Sequence, residues 1–355
     1  MTTAPHDPTA ANGRQGGPAV RVLLSVKPPG QRDNPYATLL VRNLNALDGV
    51  EVAFFSWRRA LIGTYDVLHI QWPEAIVRAR TPLRSTVAQL LTAALLVRLR
   101  LQRRMTRRPA IVRTVHNLHP HEEGSRFETS LLRQLDAMTD SWITLNAHSD
   151  VPDGARRSLV PHGHYRDWYT MPSTDRSSAS STVLYFGLIR SYKGVDVLLR
   201  AFSEVPASSD MRLAVLGDPG RSEQDRSLLQ AIAADDRISA ELRHIPDDRL
   251  VEAITDAELV VLPYRKLHNS GAVLLALSCN TPVLVPENPV TRDLQKEFGP
   301  DWVITYAGDL AADDLERAHA LVSSARPQHL DLSGRAWDKS AVDHREVYEA
   351  ALGRT

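Results

Sequence analysis

The chain predicts two doubly wound α/β domains, each a parallel sheet wrapped by helices. Three observations carry this expectation. Short apolar runs alternate with segments of helical spacing, the pattern of buried parallel strands and their crossover helices. One Ser-rich tract without periodicity, TMPSTDRSSASST at 170–182, interrupts the alternation once and reads as a flexible linker. A chain of 355 residues is long enough for two cores. The expected division is a disordered tail at 1–19, a first domain at 20–170, a linker at 171–182, a second domain at 183–334 and a last helix at 335–355.

The first domain opens with a strand, VRVLLSV at 20–26, followed by KPPGQRDNPY, whose prolines and glycine forbid regular structure. Helical spacing resumes over 36–47. Strand, special loop and helix begin a doubly wound domain, whose ligands sit past the carboxyl ends of the strands. Asp33 and Asn34 at the helix entrance read as an N-cap, with a substrate contact as the second reading. Strands are expected at 50–55 and 67–70. The latter runs into His69-Ile70-Gln71-Trp72-Pro73-Glu74. Trp72 reads either as a cap on the core or as an acceptor platform, with Glu74 as a surface residue or as a polar contact or base.

A helix over 81–108 carries Arg84, Arg98, Arg100, Arg103, Arg104, Arg107 and Arg108 around Leu90, Leu91, Ala94, Leu95 and Leu99. An apolar stripe flanked by arginines fits a helix lying on anionic lipid; a core-packed helix with a solvated basic end is the other reading. Seven arginines exceed what dipole balance requires, which favours peripheral contact with an anionic membrane through residues 84–108. The next strand, AIVRTV at 110–115, enters HNLHPHEE. Its proline and its lack of H-E-x-x-H spacing argue against a metal and for a loop facing a cleft. Glu122 there suits a general base, or with His121 merely starts the helix at 127–138. Strands at 142–145 and 158–160 precede Pro161-His162-Gly163-His164.

The second domain opens with a strand at 183–186 and the loop Gly187-Leu188-Ile189-Arg190-Ser191-Tyr192-Lys193-Gly194 before a helix at 195–203. Arg190 and Lys193 suit the two phosphates of a nucleotide diphosphate. Further elements are expected at 212–217 and 242–245 (strands) and at 228–234 and 250–255 (helices). Then comes LVVLPYRKLHNSGAVLLALSCNTPVLV at 259–285, which reads as strand, polar loop, short helix and strand. Ser270, Gly271 and Ala272 open that helix, so backbone N–H groups and the positive dipole end face the loop, where a diphosphate could be held. Tyr264, Arg265, Lys266 and Asn269 border the same place. A strand at 302–306 and helices at 310–325 and 335–352 complete the chain.

Composition narrows the function. Apolar and charged fractions of 43% and 24% are those of a soluble globular protein, and zero formal net charge argues against a nucleic-acid partner. Cys279 is the only cysteine, which fits a reducing cytosol. The first 19 residues hold no apolar leader segment, and the apolar stretch 90–97 is far shorter than the ~20 residues that span a bilayer. These features place the protein inside the cell.

The segment LPYRKLHNSGAVLLALSCNTPV resembles the donor site of GT-B glycosyltransferases, in the large family 4-like group, whose pattern is LPY-x-SG-x-x-LLEALA-x-G-x-PV. Lys193-Gly194 is similar to the family's G-R-L-x-x-x-K-G, with Leu188 in the arginine's place and Arg190 two residues on. Leu275 stands where the family has a ribose-binding glutamate, and the earlier glutamate is missing near Leu267 and His268. The SG-x-x-LLALS form resembles a bacterial subgroup, mostly mannosyltransferases of glycolipid and polysaccharide assembly. The likeness covers about residues 20–352.

The resemblance implies a GT-B fold with an interdomain cleft and a C-terminal helix crossing back to the first domain. It implies a nucleotide-sugar donor in the second domain, with GDP-mannose preferred, and a lipid-linked or oligosaccharide acceptor in the first. His116, ending its strand, would contact the donor sugar. Lys193, Arg190 and the amides at 270–272 would stabilise the departing diphosphate without a metal, and no cofactor is implied. An acceptor proton would go to Glu122 or Glu74 in an inverting reaction. A cytoplasmic enzyme at the inner face of the plasma membrane fits. The same fold also serves sugar-nucleotide 2-epimerases and, with activity lost, a sugar-nucleotide or glycan-binding subunit.

Overall fold

The computed structural model describes residues 19–28, 34–79, 81–106, 108–116, 124–171, 181–219, 230, 232–324 and 329–353. The elements of the first half are β1 (Val20–Leu24), α1 (Pro35–Ala46), β2 (Val50–Phe54), α2 (Trp57–Ile62), β3 (Val67–Ile70), α3 (Glu74–Val77), α4 (Pro82–Thr106), β4 (Ala110–Val115), α5 (Arg126–Ala137), β5 (Ser141–Thr144) and β6 (Arg157–Leu159). Six parallel strands pair in the order β2-β1-β3-β4-β5-β6.

The second half comprises β7 (Thr182–Phe186), α6 (Val195–Ser203), β8 (Arg212–Leu216), β9 (Ile238–Glu241), α7 (Asp247–Asp256), β10 (Leu259–Val261), α8 (Gly271–Ser278), β11 (Val283–Pro286), α9 (Pro289–Phe298), β12 (Val303–Tyr306), α10 (Ala312–Ser324) and α11 (Trp337–Ala351). Its parallel sheet runs β12-β11-β10-β7-β8-β9. Both sheets are doubly wound, as expected.

Central strands β3 and β10 are buried along their whole length, which is why β10 reads as an unbroken apolar run and β3 as one broken only by His69. Strand order reverses between β1 and β3 in one sheet and between β7 and β10 in the other. Those switch points are where an open parallel sheet leaves a crevice for a ligand. The loops after β3, β7 and β10 carry Gln71–Glu74, Gly187–Gly194 and Leu262–Ser270.

Helix α11 ends the chain on the first sheet. Trp337, Ala341, Val347 and Tyr348 are buried with Val22, Leu24, Leu40, Leu44 and Val112. The Trp337 indole N–H donates to the His164 carbonyl at 2.6 Å. A Cβ on Gly163 would lie 2.4 Å from the Trp337 ring, so only glycine admits that ring here. Arg335 pairs with Glu297 at 2.6 Å and donates to the His162 carbonyl at 3.2 Å. These bonds tie the end of α9 and the turn at 161–164 to the start of α11.

Some elements depart from expectation. The strand expected at 242–245 forms at Ile238–Glu241 instead, because β9 is a half-exposed edge strand without an apolar run. Helix α9 was not anticipated, although Asn288 and Thr291 form a reciprocal capping box ahead of Pro289. The short helices α2 and α3 were also unforeseen. Of the helix expected at 228–234, residues 230, 232 and 233 are helical and 228, 229 and 231 lie outside the described residues, as do the tail at 1–18 and most of the linker.

Helix α4 corrects the arginine argument. Arg98 donates to the carbonyls of Ala60 and Gly63, Arg100 to Gln134 at 2.6 Å, Arg103 pairs with Asp140, and Arg108 pairs with Asp66 at 3.0 Å. These four stitch α4 and its C-terminal flank to neighbouring elements and are not a free basic surface; Arg107 lies outside the described residues. The helix has two apolar stripes. Ala88, Leu95, Leu96 and Leu99 are buried. Leu83, Val87, Leu90, Val97, Leu101 and Met105 are exposed, Leu83 by 77% and Met105 by 87%, and with Ala94 they follow a spacing of three and four residues.

Candidate functional site

The carboxyl-end loops of the two sheets meet. The Asn269 amide donates to the His116 carbonyl at 2.8 Å and to the Val115 carbonyl at 3.3 Å. Asn146, beyond β5, donates to Asn269 Oδ1 at 2.7 Å, and Ser149 lies 2.9 Å from His268 Nε2. His148 lies 2.7 Å from Asp293. The residues expected to bind a donor and those expected to face an acceptor therefore adjoin one another.

On the second-domain side, glycine shapes the loop. Gly187 and Gly194 have φ of +116° and +70°. A Cβ on Gly194 would lie 2.1 Å from the Pro263 carbonyl oxygen, so the turn closes on the strand end only with glycine there. This turn holds Lys193 Nζ 3.8 Å from the Tyr264 ring centroid, a cation on an aromatic face. Burial disfavours the ammonium and brings its pKa down to about 8. The Tyr264 hydroxyl is buried without a hydrogen-bond partner among the described residues.

Beside it, Ser270 caps α8 by accepting from the Val273 N–H at 3.4 Å, and Gly271 and Ala272 begin the helix. First-turn amides and the helix dipole favour an anion there. A Cβ on Gly271 would lie 2.7 Å from the Tyr165 hydroxyl.

The two arginines are engaged otherwise than the sequence suggests. Arg190 rests on backbone carbonyls, at 2.7 Å from Ile189 and 3.0 Å from Pro219. Arg265 pairs with Asp196 at 2.7 Å. Either would have to exchange these bonds for a diphosphate.

The first-domain side is a chain of rings. Tyr165 lies 3.3 Å through its hydroxyl from His162 Nε2, and the His162 ring lies 4.8 Å from Tyr36. Tyr36 meets His116 edge-on at 5.0 Å, and His116 stacks on Trp72 at 4.3 Å with 20° between planes. Burial pushes His116 down to about 3 and His162 to about 4, so both imidazoles are neutral near pH 7. Aromatic faces with neutral hydrogen-bonding groups suit a carbohydrate, while a lysine and a helix N-terminus suit phosphate.

Below His116 runs a buried polar chain. His116 Nε2 lies 2.6 Å from Gln71 Oε1, and Gln71 Nε2 lies 3.1 Å from His69 Nε2. His69 Nδ1 lies 2.7 Å from the Tyr348 hydroxyl of α11. Sequence reasoning placed His116 and Trp72 but gave no role to Gln71, Tyr36, Tyr165 or Tyr348. Gln71, one residue before Trp72 at a strand end, was the only one with a local signal.

Asn34 caps α1, accepting from the Tyr36 N–H at 3.1 Å. Glu74 starts α3, and its charge acts on Arg113. Arg113 alternates along β4 with Thr114, which bonds His69 at 2.8 Å, so Glu74 acts on the sheet face opposite the polar chain. Asp33 and Glu122 lie outside the described residues.

Residues 180–323 match the family model described as glycosyl transferases group 1. The chain is 38% identical over 341 residues to the GDP-mannose:glycolipid 4-beta-D-mannosyltransferase of Xanthomonas campestris pv. campestris, covering 95% of this chain and 94% of that protein. Among solved structures, sucrose-phosphate synthase from Thermosynechococcus elongatus superposes with a TM-score of 0.59 at 16% identity, over 95% of this chain and 100% of that one. Anabaena HepE in complex with UDP-glucose gives 0.58 at 14% identity, over 94% and 95%. These two likenesses concern the fold.

Proposed function

The chain belongs to the glycosyl transferases group 1 family as a GT-B glycosyltransferase, and on that premise we propose that it moves mannose from GDP-mannose to a glycolipid acceptor. The observation that carries the choice of substrates is 38% identity across 95% of this chain with an enzyme of that name. The geometry supports it: a phosphate-compatible corner at Lys193, Gly194 and the start of α8 adjoins the ring-lined face at Trp72 and His116.

In this reading the diphosphate lies against the amides of Gly271 and Ala272 with Lys193 beside it. As the anomeric carbon–oxygen bond breaks, negative charge grows on the departing GDP, and the amides and the ammonium stabilise it most in the transition state. The acceptor hydroxyl attacks the same carbon and loses its proton. A β-product from an α-configured donor inverts that carbon, so a base must receive the proton; Glu122 is the candidate, since Glu74 acts on Arg113 on the sheet face away from His116. His116, with its pKa down to about 3, is too weak a base at pH 7 and serves as a hydrogen-bond partner of the sugar.

Peripheral contact with the inner face of the plasma membrane is assigned to the exposed stripe of α4, with Arg84 and Arg104, both exposed, at its borders. Among the described residues no helix is long and apolar enough to cross a membrane.

The deciding measurement is transfer of radiolabelled mannose from GDP-mannose to a lipid-linked oligosaccharide extract, alongside a thermal-shift series with GDP, UDP, ADP and TDP. The expected result is a labelled lipid product and the largest shift with GDP. Isomerised sugar nucleotide without acceptor, or no product together with a larger shift from another nucleotide, overturns the proposal.

A further inference from the structure

The polar chain beneath the cleft carries a role that the transfer reaction alone does not assign. His69, Gln71, Thr114 and Tyr348 are all buried, His69 and Tyr348 completely. They come from two neighbouring strand segments, β3 with its end and β4, and the last helix, and their hydrogen bonds lead to one cleft-lining imidazole.

We propose that Gln71 is a positioning residue that fixes His116 in the Nε2–H tautomer, leaving the Nδ1 lone pair as the acceptor for a hydroxyl of the bound sugar. The argument is a count of donors and acceptors. An amide oxygen only accepts, so Gln71 Oε1 at 2.6 Å requires a hydrogen on His116 Nε2. An amide nitrogen only donates, so Gln71 Nε2 at 3.1 Å requires a lone pair on His69 Nε2, and the Thr114 hydroxyl at 2.8 Å from the same nitrogen then donates to it as well, the two donors sharing that lone pair. The His69 hydrogen then sits on Nδ1 and donates to the Tyr348 hydroxyl at 2.7 Å. The Gln71 backbone N–H also donates to Ser25 Oγ at 2.8 Å, which anchors the residue.

Trp72 stacked on one face and Tyr36 against the ring allow His116 little freedom to turn. Tautomer and orientation are thus set from behind, by a chain that ends on α11. A carbohydrate hydroxyl is the fitting ligand, being both donor and acceptor; a neutral imidazole whose Nδ1 has no partner among the described residues selects its donor side. The sugar as ligand rests on the glycosyltransferase reading, whereas the tautomer does not.

The test separates the two. Full-length protein labelled with 15N-histidine is measured by long-range 1H–15N correlation near pH 7.5, with His116 identified by loss of its signals in His116→Gln. The expected pattern is a neutral Nε2–H ring in the wild type, mixed tautomers in Gln71→Leu, and Nε2–H restored in Gln71→Glu, whose carboxylate also accepts from Nε2. Mannosyl transfer should fall on the order of 10- to 100-fold in kcat for Gln71→Leu, with a smaller change in KM and partial recovery in Gln71→Glu.

An Nδ1–H ring in the wild type, or an unchanged tautomer in folded Gln71→Leu, overturns the proposal whether or not any transfer is seen. If Gln71→Leu fails to fold, the wild-type and Gln71→Glu spectra decide alone. Absence of mannosyl transfer with the expected tautomer intact counts against the substrate reading and leaves the positioning role standing.

Discussion

The two sides of the cleft are built by different means. The second-domain corner is assembled from two strand-to-helix turns, and its specifications are local: glycines with positive φ, a serine cap and a lysine in the same turn. The first-domain face draws on separate segments around Tyr36, Gln71, His116, His162 and Trp337, which meet only when the sheet and α11 are in place. A corner of the first kind suits a constant chemical feature such as a diphosphate. A face of the second kind can be altered one segment at a time, which suits the part of a ligand that varies.

Four changes test that contrast. The largest effect is expected from Trp337→Ala, which empties a fully buried site between α11 and the first sheet. The loss should be about 3–5 kcal/mol, read as a shift in the urea midpoint, and it should fall on the first domain; hydrogen exchange that loosens only β7–β12 would break the comparison. Next is Lys193→Ala, with transfer lowered about 10²- to 10³-fold and folding intact. In the wild type, kcat/KM should decline above pH 8, where the free lysine loses its proton. Wild-type turnover in the variant removes Lys193 from the reaction.

The third is pH. Burial holds His116 near pKa 3 and His162 and His344 near 4, below the unfolded value of about 6.5. The unfolded chain therefore binds protons first as pH falls. Stability is complete above about 6.5 and drains away toward the folded values, by on the order of 1.4 kcal/mol per pH unit for each histidine. Denaturation midpoints that stay level from pH 7 to pH 5 would contradict the neutral, buried ring cluster. The smallest effect belongs to Asn269→Ala, which removes the bridge to the Val115 and His116 carbonyls and should cost about 1 kcal/mol. Its signature is a raised KM for donor with little change in the melting temperature.

The same contrast explains how far the sequence could be read. Val283–Val285 and Leu259–Leu262 announced themselves because strands buried on both faces carry apolar side chains at every position. Lys193, Gly194, Ser270 and Gly271 were legible because a turn next to a helix start writes its requirements into adjacent residues. Edge strand β9 was misplaced because one side of it faces solvent. The arginines of α4 were read as free charge, yet Arg98, Arg100, Arg103 and Arg108 have partners at least 30 residues away in sequence, which no local window reveals. Tyr348 is the extreme case, reaching His69 across 279 positions.

The crossing of α11 also has a consequence in time. During synthesis the first sheet leaves the ribosome long before the helix that covers it, a delay of many seconds at about 5–20 residues per second. Until then Val22, Leu40 and Val112 present a bare greasy face on the nascent polypeptide. Emergence of α11, not completion of the first sheet, is when the amino-terminal half becomes safe from aggregation, and a chaperone that shields it should be needed up to that moment.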